Sequence, residues 1–126
     1  MTRNSSLNWQ ALRKSASTVL KGRNGEDRAA AFLQERGYHV MQKNVRLPGG
    51  EIDLVCKDGE TIVFIEVKLR TTASYGSALA AVDSKKRATL RRLAADYLQF
   101  AAPQAQARFD VVALDGDRLI LHRNAF

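Results

Sequence analysis

Residues Gly49–Arg70 read GGEIDLVCKDGETIVFIEVKLR. Two runs rich in Ile, Val, Leu and Phe flank Asp58-Gly59, and an Asp-Gly pair so placed predicts an antiparallel hairpin, because it readily takes the left-handed conformations of a tight turn. With a two-residue turn at Asp58-Gly59, Lys57 opposes Glu60, Asp53 faces Phe64 and Glu51 faces Glu66. Asp53 and Glu66 are then diagonal neighbours. Strand alternation places Asp53, Phe64, Glu66 and Lys68 on one face, with diagonal Cβ atoms roughly 7–8 Å apart. Glu51, Lys57, Asp58 and Glu60 suit the solvated side of such a hairpin. Asp53 and Glu66 instead sit inside Ile52-Asp53-Leu54-Val55 and Phe64-Ile65-Glu66-Val67, where a carboxylate is costly to desolvate unless a cation or hydrogen-bond donors meet it. A structural ion pair would satisfy them, and so would a metal ion held between them.

The rest of the chain is short and basic. At 126 residues and 45% hydrophobic content it suits one compact domain. A net charge of +7 points to an anionic partner, with nucleic acid the first candidate. Cys56 is the single cysteine, so neither an intramolecular disulfide nor a cysteine zinc cluster can form, and its expected role is a small buried strand residue. No stretch has the length of a transmembrane helix or the pattern of a secretory signal, and a cytoplasmic protein with no membrane partner is expected.

Met1 to Gly25 holds Arg3, Arg13, Lys14, Lys21 and Arg23 and no acid. Residues 1–21 are expected to be a flexible basic tail, with residues 22–126 as the single domain. The tail's composition suits a transit peptide or an arm touching phosphates, and Trp9, Leu12, Ala16 and Leu20 could line one side of a short helix.

A helix is predicted from Asn24 to Arg36, stopped by Gly37, with Ala29, Ala30, Phe32 and Leu33 facing inward. Glu26 falls on that same face by helical spacing. It either complements the positive end of the helix or belongs to a site. Tyr38–Arg46 reads as a strand, and Pro48-Gly49-Gly50 turns it into the hairpin, giving three antiparallel strands. Residues 71–82 form a polar connection that either lines the site or merely links elements.

Ser84 can cap a second helix whose stripe is Leu90, Leu93, Ala94, Tyr97, Leu98 and Ala101, ended with the help of Pro103. Lys85, Lys86, Arg87, Arg91 and Arg92 crowd its first turns without an acid, a pattern that suits phosphates better than mixed solvation. Lys86 leads the inward stripe and could reach the carboxylate end of the sheet. Arg108–Leu114 and Arg118–His122 read as strands joined at Asp115-Gly116, and the helix before them favours a crossover to a parallel neighbour. The order is αβββαββ, a mixed sheet with packed helices.

If Glu26, Asp53 and Glu66 converge with Lys68 beside them, three negative charges meet one positive charge, and a divalent cation would resolve the repulsion. All-oxygen ligands suit Mg²⁺ or Mn²⁺, whereas His39 and His122 are too isolated for a histidine site. Such a metal polarises a phosphoryl oxygen, and Lys68 can position the attacking water or offset charge on the phosphate. Gly22-Arg23-Asn24-Gly25 lacks the full phosphate-loop pattern, no serine or cysteine triad is present, and Tyr38, Tyr75 and Tyr97 form no base-stacking array.

Asp53 followed by Glu66-Val67-Lys68 resembles the PD-(D/E)XK signature of restriction-endonuclease-like nucleases, with Ile52 in place of the signature's proline. Glu26 is similar to the additional helix-borne acid of archaeal Holliday-junction resolvases in that superfamily. More closely, GRNGEDRAAAFLQERGY, NVRLPGGEIDLV, VFIEVKLR, RFDVVAL and the closing NAF resemble the bacterial YraN family across Gly22–Phe126. The resemblance implies an α/β restriction-endonuclease-like αβββαβ core, a mixed sheet flanked by helices. It further implies Asp53, Glu66 and the Val67 carbonyl as metal ligands, Glu26 acting directly or through water, and Lys68 serving the water. Lys85, Lys86, Arg87, Arg91, Arg70 and Arg23 are the expected nucleic-acid contacts. The expected function is a divalent-metal-dependent nuclease acting on DNA, branched structures included; a non-catalytic nucleic-acid-binding protein of the same fold is the alternative. Junction resolvases work as dimers because two cuts are needed, so a homodimer fits the resemblance.

Overall fold

The structure, a computed structural model, describes residues 24–69 and 82–126. The expected basic tail, the short helix drawn through Trp9 and Leu20, most of the 71–82 connection, and the candidate contacts Arg23 and Arg70 lie outside the described residues. The elements are α1 (Asn24–Glu35), β1 (His39–Leu47), β2 (Gly50–Asp58), β3 (Thr61–Leu69), α2 (Ser84–Ala101), β4 (Ala107–Asp115) and β5 (Arg118–His122). This is the αβββαββ order read from the sequence. The strands form one sheet in the order β1-β2-β3-β4-β5. β1, β2 and β3 pair antiparallel, as do β4 and β5, while β3 and β4 run parallel. A parallel pair needs a long return connection, and the segment carrying α2 supplies it.

The helices cover opposite faces. On one, Ala29, Ala30 and Leu33 of α1 pack against Leu54, Cys56, Val63, Ile65, Val112 and Leu114. On the other, Leu93, Ala94 and Tyr97 of α2 pack against Val55, Ile62 and Phe64, and Leu90 against Val111 and Ala113. Each helix buries the stripe its 3.6-residue spacing placed together. Phe32 is only half-buried and lies under the Arg36 guanidinium, 3.7 Å from its ring centre. Cys56 is fully buried, and burial pushes its thiol up to about 12, so it is an inert core residue as expected.

Two local expectations are corrected. The hairpin turn lies at Gly59-Glu60, because Asp58 still pairs with Thr61. Gly59 takes the positive φ of +63° at the first loop position, which leaves Asp58 in the ladder. The pairing of β2 with β3 therefore slips by two residues from Asp58-Gly59 centring, with Leu54 opposite Ile65 and Val55 opposite Phe64. A slip of two preserves which face each side chain occupies. The α2 cap is Asp83 and not Ser84: its carboxylate accepts the Lys86 N–H at 2.8 Å, and its φ of −72° and ψ of 177° are extended. Pro103 keeps the preceding Ala102 out of helical geometry, which ends α2 there.

Gly50 explains how α2 can settle over the start of β2. A Cβ at Gly50 would meet Leu93 Cδ1 at 2.9 Å, and one at Gly49 would collide with the Arg92 guanidinium. Glycines here let the helix approach the sheet closely.

Candidate functional site

Asp53 and Glu66 occupy the α2 face, near the point where β2 and β3 stop pairing. The ladder ends at Leu54–Ile65, and continuing it by one residue brings Asp53 level with Glu66. They are direct cross-strand neighbours, where the sequence-based register made them diagonal. The Asp53 carboxylate accepts the Val67 N–H at 2.8 Å. Glu66 is 6% exposed, and its Oε1 is buried without a hydrogen-bond donor among the described residues. Lys68 Nζ and Lys86 Nζ stand 3.9 and 3.7 Å from Glu66 Oε2. The reach of Lys86 to the carboxylate end, read from its place in the helical stripe, is present.

The electrostatics follow from this crowding. Burial first, and the Glu66 charge next, push the Asp53 carboxyl up to about 7, although the Val67 N–H pulls it down. Burial also raises Glu66, while Lys86 and Lys68 oppose the rise. Two acids with one donor-starved oxygen and raised proton affinity form a set that suits a hard divalent cation taking oxygen ligands.

Glu26 enters from the other helix. It lies in the first turn of α1, half-buried, on the helix that covers the opposite face. Gly25 is packed so tightly that a Cβ would meet Leu114 Cδ1 at 2.8 Å, and Leu114 pairs with Leu69. The start of α1 is therefore at the Lys68–Leu69 end of β3. Even so, no group of three or more His, Cys, Asp or Glu gathers to hold a metal among the described residues. Two of the three expected carboxylates come together, and the third is at the same end of the sheet on its other side.

The basic residues of α2 flank the pair. Lys85, Arg91 and Arg92 are exposed, and Lys86 and Arg87 half-buried. Arg87 Nε donates to the Val82 carbonyl at 2.7 Å. Arg87 and Arg91 lie over the Phe126 ring at 5.3 and 5.4 Å, and Phe126 stacks on Phe109 at 4.8 Å. Arg92 reaches the other way, over the β1–β2 turn, with Nη1 3.4 Å from the Pro48 carbonyl. The part played by Phe126 had no signal in local pattern, because its partners are distant in sequence.

A second charged cluster occupies the α1 face. Asp110 is fully buried and accepts from Tyr38 Oη at 2.7 Å, Arg108 Nε at 3.0 Å and the Asn124 N–H at 2.8 Å. Arg108 Nη2 also donates to Asp58 at 2.8 Å, and Arg123 Nη2 to the same Asp58 oxygen at 3.1 Å. An open groove of about 550 Å³ lies toward the hairpin turn, beside Lys57 and Glu60, and includes neither Asp53 nor Glu66. Among the described residues no helix is long and apolar enough to cross a membrane.

Comparison with known proteins places the chain. The model of a family described as "Uncharacterised protein family UPF0102" matches residues 25–114. A "UPF0102 protein" of Shewanella loihica is 46% identical over 112 residues, covering 89% of this chain and 98% of that protein. One from Moorella thermoacetica is 48% identical over 99 residues, covering 78% and 82%. One from Dechloromonas aromatica is 41% identical over 110 residues, covering 87% and 91%. With a family match across most of its length and relatives this similar, the chain belongs to the UPF0102 family, the YraN-like group its motifs resemble.

Proposed function

We propose that the protein is a divalent-metal-dependent nuclease with a restriction-endonuclease-like core, hydrolysing nucleic-acid phosphodiesters, with DNA and its branched forms as the preferred substrates. The observation that carries this reading is the Asp53–Glu66 pair: two neighbouring acids, Glu66 buried and Asp53 half-buried, one oxygen without a donor among the described residues, and two lysines at its edge. The αβββαβ order, with an antiparallel hairpin beside a parallel crossover, supports the same fold assignment.

Asp53, Glu66 and the Val67 carbonyl would hold Mg²⁺ or Mn²⁺, which would supply Lewis acidity toward a phosphoryl oxygen and make water more acidic. The chain's own groups do the positioning. The Val67 N–H fixes the Asp53 carboxylate, so that one ligand is oriented in advance. Lys68 sits where it can orient the attacking water and offset negative charge developing on phosphate. Glu26 acts from the adjoining end of α1, through water. Lys85, Lys86, Arg87, Arg91 and Arg92 present cations for flanking phosphates, and Arg23 and Arg70 are further candidate contacts that lie outside the described residues. Phe126 is engaged by Phe109 and by the guanidinium groups of Arg87 and Arg91, and this surface is assigned to the phosphate backbone.

The test is cleavage of labelled duplex, single strand, flap and four-way junction with Mg²⁺ or Mn²⁺ by wild type, Asp53→Ala and Lys68→Ala. Metal-dependent cutting lost in both variants, with binding retained, is the expected result. Binding without cutting by any form would replace the nuclease with the non-catalytic binder.

A further inference from the structure

Lys86 is engaged in a manner that hydrolysis by Asp53, Glu66 and Lys68 does not require. Its Nζ and that of Lys68 share Glu66 Oε2 at 3.7 and 3.9 Å, while Glu66 Oε1 meets no donor among the described residues. Two ammonium groups therefore neutralise two carboxylates when both acids are ionised. Neither contact is as short as a hydrogen bond. The backbone of Lys86 is fixed, since its N–H is held by the Asp83 cap, whereas its side chain is 42% exposed on a flexible four-carbon stem. The ammonium can swing away from Glu66 without disturbing the helix. A divalent cation at the pair would give a balanced site two surplus positive charges and leave Lys86 facing a like charge. An anionic phosphodiester restores the balance, and Lys86 stands on the α2 edge from which the neighbouring exposed cations project.

We propose that Lys86 is an electrostatic placeholder that couples the binding of a divalent cation to that of a phosphodiester. It neutralises Glu66 before the cation binds and turns to a substrate phosphate afterwards. The inference rests on the reading of Asp53 and Glu66 as a cation site. Coupling of this kind is reciprocal: the cation raises affinity for the phosphodiester by the factor by which the phosphodiester raises affinity for the cation.

The experiment is calorimetric titration of the full chain with Ca²⁺, with and without a short duplex DNA, alongside fluorescence anisotropy of the labelled duplex with and without Ca²⁺. Wild type is expected to bind Ca²⁺ more tightly in the presence of duplex. Lys86→Met is expected to bind Ca²⁺ alone on the order of tenfold more tightly than wild type, because one repelling charge is gone. It is also expected to lose most of the duplex-dependent gain. Lys57→Met, beside the groove at the hairpin turn and away from the pair, should keep both the wild-type Ca²⁺ affinity and the coupling. Asp53→Asn separates the two levels of inference. If it abolishes Ca²⁺ binding while Lys86→Met behaves as wild type, the placeholder is wrong and the cation site stands. If wild type binds no Ca²⁺, or Asp53→Asn binds it as well as wild type, both fall.

Discussion

Asp110 and Glu66 are near neighbours on adjacent strands, with Ile65 opposite Asp110 and Glu66 opposite Val111, yet they face opposite sides of the sheet and are treated in opposite ways. Asp110, fully buried, is saturated with donors from Tyr38, Arg108 and Asn124. Glu66, nearly as buried, has a second acid beside it, an oxygen without a donor among the described residues, and two lysines beyond hydrogen-bond length. A carboxylate whose lone pairs are met by fixed donors is an element of the fold. Carboxylates crowded together with raised proton affinity store a demand for positive charge, and that demand marks a site.

The largest expected effect tests the saturated side. Asp110→Ala should lose about 3–5 kcal/mol in denaturant unfolding, because the Tyr38 hydroxyl and the Asn124 N–H lose their acceptor and the half-buried Arg108 guanidinium keeps only Asp58 as a carboxylate partner. Arg108→Met should cost about 2–3 kcal/mol, since Asp110 keeps Tyr38 and Asn124 as donors. Equal, small losses from both would erase the contrast.

The starved side should respond with the opposite sign. Asp53 has its folded proton affinity raised from an ordinary 3.8 to about 7, so the native state binds more protons than the unfolded chain across that window. Its contribution to stability is full below about 3.8 and is lost as pH rises through about 7. Glu66 and Glu51 push in the same direction, and Lys68 and Lys86 temper Glu66. Asp53→Asn should therefore match wild type near the acid end and exceed it by roughly 2 kcal/mol above the window in EDTA, since the amide cannot charge and can donate to Glu66. A variant less stable than wild type at high pH would place Asp53 in the same class as Asp110. The smallest effect concerns the mounting of Lys86: Asp83→Ala should cost about 1 kcal/mol by removing the cap bonded to the Lys86 N–H.

Much of this arrangement was legible in the residues. The hydrophobic runs around Asp58-Gly59 give the hairpin, helical spacing gives the buried stripes of α1 and α2, and carboxylates inside apolar strands mark the pair. The register missed by two because Asp-Gly does not state whether Asp remains in the ladder, and the placement of Gly59 decides it. Face assignment survived the slip because side chains alternate with period two. Helical spacing says which residues share a face with Glu26, not which side of the sheet that face covers. Asp110 was passed over as an ordinary strand residue, since its donors Tyr38, Arg108 and Asn124 converge only in three dimensions. Phe126 beneath Arg87 and Arg91 was hidden for the same reason.

In the function proposed above, the Asp53–Glu66 pair receives a divalent cation. The most direct measurement is the unfolding free energy of wild type and Asp53→Asn above neutral pH, each in EDTA and in excess Mn²⁺. A cation that binds only the native site stabilises it in proportion to the logarithm of its occupancy. Wild type is predicted to gain clearly on adding Mn²⁺ and Asp53→Asn to gain nothing. No gain in wild type, or the same gain in both, would contradict the claim.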